Sequence, residues 1–178
     1  KSTLLSNGNL YVAKFNDNFT GEWLLLDTQT TGLSSKAEVC IFTRLAASKV
    51  GATTMDRPEW IASNPKKNEV CCCLTNNKNR GIKTNKGGDK VDVDKVNPRK
   101  NNKYGQIVRW KPIENNHSSV YFEWDLFVVA GNPNVHDDNN RGSKNIDKEN
   151  MFNSPDGLKF DKYGRLWIQT DGNYFNSG

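Results

Sequence analysis

The sequence predicts an all-β fold made of antiparallel hairpins. Two observations carry this prediction: short runs rich in β-branched and aromatic residues recur between Gly, Asn, Asp and Pro, and one pair of runs is repeated later in the chain. Hydrophobic residues make up only 35% of the 178 residues, so we expect long polar loops. No apolar run approaches the roughly 18 residues of a membrane span, and we expect no membrane contact.

Eight runs are predicted as strands and one segment as a short helix. The helix candidate is Ser34 to Lys49, where Ala37, Ile41 and Leu45 follow an i, i+4 spacing. β-Branched residues at its centre lower the helical propensity. The predicted strands are 9–15, 21–27, 59–62, 69–75, 105–110, 119–131, 158–161 and 165–170.

One hairpin occurs twice, at an offset of 97 residues at its start and 95 at its end. The copies are Pro58 to Asn76 and Pro155 to Asp171; each begins with a proline and an acid, and each ends with a threonine followed by an asparagine or aspartate. A second hairpin lies between the copies. Without the polar stretches, the first two hairpins form a four-stranded unit of about 50 residues, the size of one β-propeller blade.

The chain is therefore predicted as one partial propeller domain, 1–178, of about two blades. Residues 9–27 form the outer hairpin of one blade, 58–131 form the next blade with an insertion at 78–103, and 155–172 form the inner hairpin of a third. Both ends are abrupt, so we expect a piece of a longer protein. Such a piece would self-associate through its open strand edges.

The positive charge is concentrated in one stretch. Between Lys78 and Lys111 there are 11 basic and three acidic side chains, a balance of +8 within a total of +5, so the rest of the chain carries −3. Few aromatic residues are interleaved with these cations, which argues against a nucleic-acid groove as the specific partner surface. The stretch is predicted as a solvated loop.

Polar side chains are predicted to meet at one end of each repeated hairpin. Because the first strand starts where the second ends, Glu59 should lie near Asn76, and Asp156 near Asp171. Carboxylate and amide oxygens are ligands that calcium prefers. The same residue types also start strands and form turns. Either hairpin alone favours that simpler interpretation, and only their recurrence in register makes a metal site an equal alternative.

The cysteines and histidines suggest no further site. Cys71, Cys72 and Cys73 are adjacent, so we predict that they alternate between strand faces as small apolar residues. No Cys/His spacing of a zinc site occurs. His117 and His136 lie in polar loop sequence and are predicted at the surface.

Seven motifs occur in order along the chain: LYVAKFN at 10–16, GATTMDRPEW at 51–60, LTNN at 74–77, NPR at 97–99, YGQIVRW at 104–110, SPDGL at 154–158 and GRLWIQTDG at 164–172. This series resembles the PhoX-type alkaline phosphatase family over nearly the whole chain. The resemblance implies a six-bladed propeller that hydrolyses phosphate monoesters, with Ca²⁺ and Fe³⁺ in its channel. It also implies twin-arginine export to the periplasm or outside the cell, and a monomeric full-length protein.

Carried over to this sequence, the resemblance implies catalytic roles for Arg57 and Glu59. Arg57 would bind phosphate, since a guanidinium binds phosphoryl oxygens in bidentate fashion, and Asp56 could orient it. Glu59 would also be a metal ligand. The other candidate metal-facing residues are Asp156, Asn76, Asn77 and Asp171.

One family feature has no counterpart here. The family uses a cysteine thiolate as an iron ligand, and neither Cys40 nor the cysteines at 71–73 match its position. We expect that ligand upstream of Lys1, and we expect this chain alone to be inactive. Two alternatives stay open: a calcium-dependent lactonase-like propeller hydrolase without iron, and a non-catalytic binding module in which Glu59→Gln would be silent.

Overall fold

The computed structural model describes residues 7–85 and 87–172. This part of the chain is mostly β, as predicted, and no helix in it is long and apolar enough to cross a membrane. The strands are β1 Leu10–Phe15, β2 Thr20–Leu26, β3 Pro58–Ser63, β4 Val70–Leu74, β5 Gln106–Pro112, β6 Tyr121–Val129, β7 Pro155–Phe160 and β8 Leu166–Thr170. The helices are α1 Thr28–Thr31, α2 Lys36–Ile41 and α3 Thr43–Lys49, with 3₁₀ turns at Ile113–Asn115 and Asn139–Arg141.

Six strands form one antiparallel sheet in the order β1-β2-β6-β5-β4-β3, and β7 and β8 form a separate hairpin. We call β3 to β6 the central meander. Each of its strands pairs with the next in sequence, and β7 packs against β3 and β4. The observed strands agree with the eight predicted runs to within a few residues.

The first hairpin is joined to the central meander by a short pairing. In the structure it extends the sheet of the central meander, because Thr20–Glu22 pairs with Tyr121–Glu123 of β6. Gly21 makes this approach possible, since a Cβ at that position would overlap the ring of Phe122. The partner of β2 is about a hundred residues away in sequence, so no local pattern could identify it.

The predicted helix at 34–49 is two helices. Phe42 leaves the helical region at φ −101° and ψ 42° and separates α2 from α3. The hydroxyl of Thr43 donates a hydrogen bond to the carbonyl of Cys40 at 2.7 Å, across the break. Ser35 caps the start of α2. The single turn α1 is not predicted by the apolar spacing.

Strand β4 of the central meander is buried on both faces. Cys71 and Cys73 contribute to one core, and Cys72 and Leu74 contribute to the other. The first core lies against β7 and β8 and also contains Ile107, Val128, Ile146 and Leu158. The second lies under the first hairpin and also contains Val96, Val108, Phe122 and Trp124. The alternation predicted for the three adjacent cysteines is confirmed.

The basic insertion is more ordered than a solvated loop. Val91 and Val96 are buried, and so are the polar side chains of Arg80, Asn97 and Arg99. The insertion leaves the sheet after β4 and returns at Gly105, where φ is +77° and a Cβ would overlap the carbonyl of Thr75. Both ends of the insertion are therefore fixed at the same end of the sheet.

Candidate functional site

One end of the molecule collects the residues that the sequence predicts as functional. Pro58 pairs with Leu74 in the first copy of the hairpin, and Pro155 pairs with Thr170 in the second. A register shift follows each proline, so both copies begin with the same irregularity. We call this end, formed by 54–59, 74–77, 153–156 and 170–172, the site end.

Arg57 lies between two other candidate residues. Its Nη1 donates a hydrogen bond to Oδ1 of Asn76 at 3.0 Å, and its Nη2 lies 3.9 Å from Oε1 of Glu59. The Arg57 side chain is 56% exposed, so the guanidinium keeps donors free for an anion while two neighbours orient it. Glu59 and Asn76 were predicted to lie close together, and in the structure Arg57 lies between them and contacts both.

The backbone at Arg57 adopts a conformation that L-residues rarely take. Its φ is +52°, and Ser154, at the equivalent place before the second proline, has φ +50°. The same hydrogen bond holds both positions: Thr75 N donates to the Arg57 carbonyl at 3.1 Å, and Asp171 N donates to the Ser154 carbonyl at 3.0 Å. A left-handed residue costs roughly 1–2 kcal/mol, so these bonds hold strained turns at the site end.

Three hydrogen bonds at the site end join Ser154 and Pro155 to the segments that follow β4 and precede β5, and we call them the seam. Asn76 Nδ2 donates to Ser154 Oγ at 3.2 Å, and Thr75 Oγ1 donates to the Pro155 carbonyl at 2.9 Å. Ser154 N donates to the Tyr104 carbonyl at 2.7 Å. Asn76 therefore links Arg57 to the second hairpin. Sequence reasoning missed Ser154; its place before the repeated proline is the signal that could have identified it.

The remaining candidate metal ligands have different surroundings. Asp156 is half-buried in β7, and Asp171 is exposed beyond β8. Neither forms an ion pair with another described residue. Asn77 accepts a hydrogen bond from Asn79 N at 3.0 Å, and its backbone pairs with Asn102. Asn77 therefore makes turn contacts, and its role as a ligand stays a prediction.

The charged donors predicted at the site end are carboxylate oxygens. Glu59 and Asp156 offer carboxylate oxygens, which calcium prefers. Cys71, Cys72 and Cys73 are buried in the two cores of the sheet, so they offer no thiolate to the site end. Within 7–85 and 87–172, no group of three or more His, Cys, Asp or Glu side chains could hold a metal ion.

Asp56 does not have the role suggested by its position next to Arg57. Its side chain is fully buried. Oδ1 accepts a hydrogen bond from Nε of Arg80 at 2.7 Å, and Oδ2 accepts one from Nδ2 of Asn102 at 2.8 Å. Both oxygens thus bind inward, away from the exposed guanidinium of Arg57. Sequence reasoning did not single out Arg80, because nothing in its local sequence distinguishes it from the solvated cations around it.

The two histidines differ from each other. His117 is exposed, as predicted. His136 is only partly exposed, and its Nε2 shares a hydrogen bond with the hydroxyl of the buried Tyr104 at 2.8 Å. This contact attaches the loop between β6 and β7 to Tyr104, whose carbonyl accepts a hydrogen bond from Ser154 N of the site end.

Comparisons with known proteins agree with the geometry. A family model described as alkaline phosphatase PhoX matches residues 1–178. The solved structure of Pseudomonas fluorescens PhoX in complex with vanadate, a transition state analogue, is similar to this chain, with a TM-score of 0.87 and 49% sequence identity. The match covers 99% of this chain and 32% of that one, so the chain spans about a third of the solved relative's length. No curated protein matches the chain.

Proposed function

This chain belongs to the alkaline phosphatase PhoX family, and from that premise we propose that it supplies part of the active site of a phosphomonoesterase. The enzyme would hydrolyse phosphate monoesters and release inorganic phosphate. The observation that carries the proposal is Arg57, oriented by Asn76 and Glu59 with more than half of its side chain open to solvent. The similar Pseudomonas fluorescens PhoX was solved with vanadate, an anion of the shape that a guanidinium binds well.

The full-length polypeptide that carries this sequence is proposed to be a six-bladed β-propeller. The central meander would be one blade, and the two flanking hairpins would be halves of others. The eight strands in the described part of this chain are about a third of those in six four-stranded blades, which agrees with the 32% coverage of the solved relative. Trp60 and Ile61 of β3 are 56% and 62% exposed, as expected where another blade would cover them.

Arg57 would bind the phosphoryl group of the ester. Its free N–H groups can donate to two phosphoryl oxygens and stabilise the charge that spreads over them in the transition state. Asn76 binds Nη1 of the guanidinium and Glu59 lies 3.9 Å from its Nη2, so Arg57 would be partly oriented before the substrate arrives.

Calcium and iron ions, Ca²⁺ and Fe³⁺, are proposed as cofactors. Glu59 and Asp156 would hold calcium on this chain, while the remaining ligands, including a thiolate, would come from polypeptide outside it. When bound, the ions would polarise the ester phosphate and neutralise its developing charge. The candidate set on this chain is completed by Asn76, Asn77 and Asp171.

The test is Glu59→Gln in the full-length polypeptide. The change keeps the shape of the side chain and removes its charge, so we expect kcat/KM for an aryl phosphate to fall by about 100-fold or more and the calcium content, measured by elemental analysis, to fall with it. Glu123→Gln is the matched control, because Glu123 pairs with Lys111 at the opposite end of the sheet.

Each alternative function gives a different result. A silent Glu59→Gln change would support a non-catalytic binding module. A wild-type protein that holds a single calcium and no iron would support a lactonase-like hydrolase. A wild-type protein that holds neither metal and fails to hydrolyse an aryl phosphate would overturn the phosphatase proposal.

A further inference from the structure

A fully buried ion pair lies one residue from Arg57. The side chains of Arg80 and Asp56 have no exposed surface, and Nε of Arg80 lies 2.7 Å from Oδ1 of Asp56. Asp56 directly precedes Arg57, whereas Arg80 belongs to the basic insertion. Buried charges are tolerated when hydrogen bonds satisfy them, so the partners of this pair show what it holds in place. The proposed phosphatase chemistry does not itself use the pair.

Arg80 fixes the segment that leads into Arg57. Its Nη2 donates to the Thr54 carbonyl at 2.8 Å, its Nη1 donates to Thr54 Oγ1 at 3.3 Å, and its Nε donates to Asp56. Nη1 also donates to the Asp92 carbonyl at 2.8 Å, so all three nitrogen atoms are engaged. The rigid guanidinium fork allows these contacts at once, and a lysine ammonium could not reproduce them.

Two asparagines complete the network. Asn97 accepts from Asp56 N at 3.0 Å and donates to the Thr54 carbonyl at 3.0 Å. Asn102 donates to the second carboxylate oxygen of Asp56 at 2.8 Å. The backbone amide and both side-chain oxygens of Asp56 are thus bound immediately before Arg57, where φ turns positive. The network therefore sets the direction in which the backbone enters that strained position.

We propose that Arg80 is a positioning residue for Arg57. By holding residues 54–56, it places the guanidinium of Arg57 where a phosphoryl group binds, although Arg80 itself touches no substrate. The inference rests on the proposed function, since it needs Arg57 to bind phosphate. A displacement of about 1 Å at a reacting group can cost about 100-fold in rate, so a buried side chain behind Arg57 can have a large kinetic effect.

The first experiment compares Arg80→Met and Arg80→Lys in the full-length polypeptide, with 4-nitrophenyl phosphate as substrate and vanadate as inhibitor. Arg80→Met is expected to lower kcat/KM by about 100-fold and to weaken vanadate inhibition by a similar factor. Arg80→Lys keeps the charge beside Asp56 but loses the fork, so we expect a loss of about 10-fold. Arg109→Met is the matched control: it breaks the ion pairs of Arg109 with Asp125 and Glu69 and should lower thermal stability with kcat/KM unchanged.

The second experiment adds each Arg80 change to an Arg57→Ala background. Because Arg80 acts through Arg57, the added change should cause no further loss of kcat/KM. An equal loss in both backgrounds would show an independent structural effect and overturn the inference. If Arg80→Met fails to fold, the same comparison of kcat/KM losses is made with Arg80→Lys in the wild-type and Arg57→Ala backgrounds.

The two proposals fail in different ways. If the wild-type polypeptide neither hydrolyses 4-nitrophenyl phosphate nor binds vanadate, the proposed function is wrong and this inference falls with it. If the wild type is active and both Arg80 variants match it in kcat/KM and vanadate inhibition, this inference alone is overturned.

Discussion

The thiols of Cys71, Cys72 and Cys73 lie on alternate faces of β4, and burial keeps them protonated. The pKa of Cys71 is raised to about 12 by burial and further by the charge of Glu69, while burial raises that of Cys72 to about 11. Burial also raises the pKa of Cys73. The alternation follows from strand geometry and was predictable, but the depth of burial was not, because Leu158 of the distant β7 helps to cover one face.

Alkaline pH is expected to weaken the fold through these thiols. In the unfolded chain a thiol loses its proton near pH 9, whereas in the folded chain Cys71 and Cys72 keep theirs until about pH 12 and 11. The unfolded state therefore binds fewer protons above pH 9. The free energy of unfolding should fall by about 1.4 kcal/mol per thiol for each further pH unit, and the full contribution is present below pH 9.

Thermal unfolding of the full-length polypeptide between pH 8 and 10.5 measures this loss. Cys71→Ala should lower the unfolding temperature at pH 8, because it removes packing, but it should make the alkaline decline shallower. Cys40→Ala is the control, since Cys40 is exposed and its replacement should leave the slope unchanged. Equal slopes for the wild type and Cys71→Ala would contradict the prediction.

Among the elements, the junction of β2 with β6 depends on one glycine. The two strands pair over only three residues, from Thr20 to Glu22, and the ring of Phe122 occupies the space where a Cβ of Gly21 would lie. The same ring stacks edge-on with Phe15 at 5.2 Å between ring centroids. Because the ring of Phe122 covers the centre of this short pairing, position 21 has no room for a residue larger than glycine.

Gly21→Ala is therefore expected to destabilise the protein by about 1–3 kcal/mol, because the ring or the strand must shift to admit the methyl group. The measurement is the shift in unfolding temperature of the full-length polypeptide. Gly8→Ala serves as control, since no atom lies within 4 Å of its Cβ position. An equal, small shift for both variants would show that the junction can repack.

The helices and strands also show which parts of the fold are determined by local sequence. Each strand could be predicted because its apolar and β-branched residues, and the turn residues around it, lie within a short window. The break at Phe42 could not, because the apolar spacing of residues 34–49 continues through it. Nor could the placement of the first hairpin, since β2 and β6 are brought together by Phe122 and Trp124, which lie far along the chain.

For the whole molecule, the distribution of charge matters more than its sum. The basic insertion leaves and re-enters the sheet at the site end, next to Asn77 and Gly105. Lys83 and Lys90 are exposed in it, and Lys86 lies outside the described residues. A local positive potential beside a phosphate-binding site would attract anionic esters at low ionic strength.

Replacing these three lysines with serine in the full-length polypeptide should therefore lower kcat/KM for an aryl phosphate, by up to about 10-fold at low salt and by less at high salt. The matched control replaces three exposed lysines of the hairpin turns at the opposite end of the strands, which should leave kcat/KM unchanged at every salt concentration. The control residues are Lys66, Lys67 and Lys162. A salt dependence equal to that of the wild type would rule out steering by the insertion.

The site end was predictable in outline because the hairpin occurs twice. The repeat identified Glu59 and Asp156 as candidate site residues, and the structure places both near the start of their strands. Arg80 was not predictable, because its contacts with Thr54 and Asp56 span more than twenty residues and a buried arginine has no local signature. A repeat shows where a site lies, whereas the groups that hold it rigid depend on tertiary contacts.

The seam has a mechanical consequence. Its hydrogen bonds tie the two hairpins together around Ser154, whereas their turns, near Asn64 and Gly164, lie at the far ends of the strands. These turns also lie against each other, since a Cβ at Gly164 would be 3.2 Å from Oδ1 of Asn64. The two hairpins are therefore held together at both ends of their strands, so a rotation of one relative to the other would break contacts at the turns as well as at the seam.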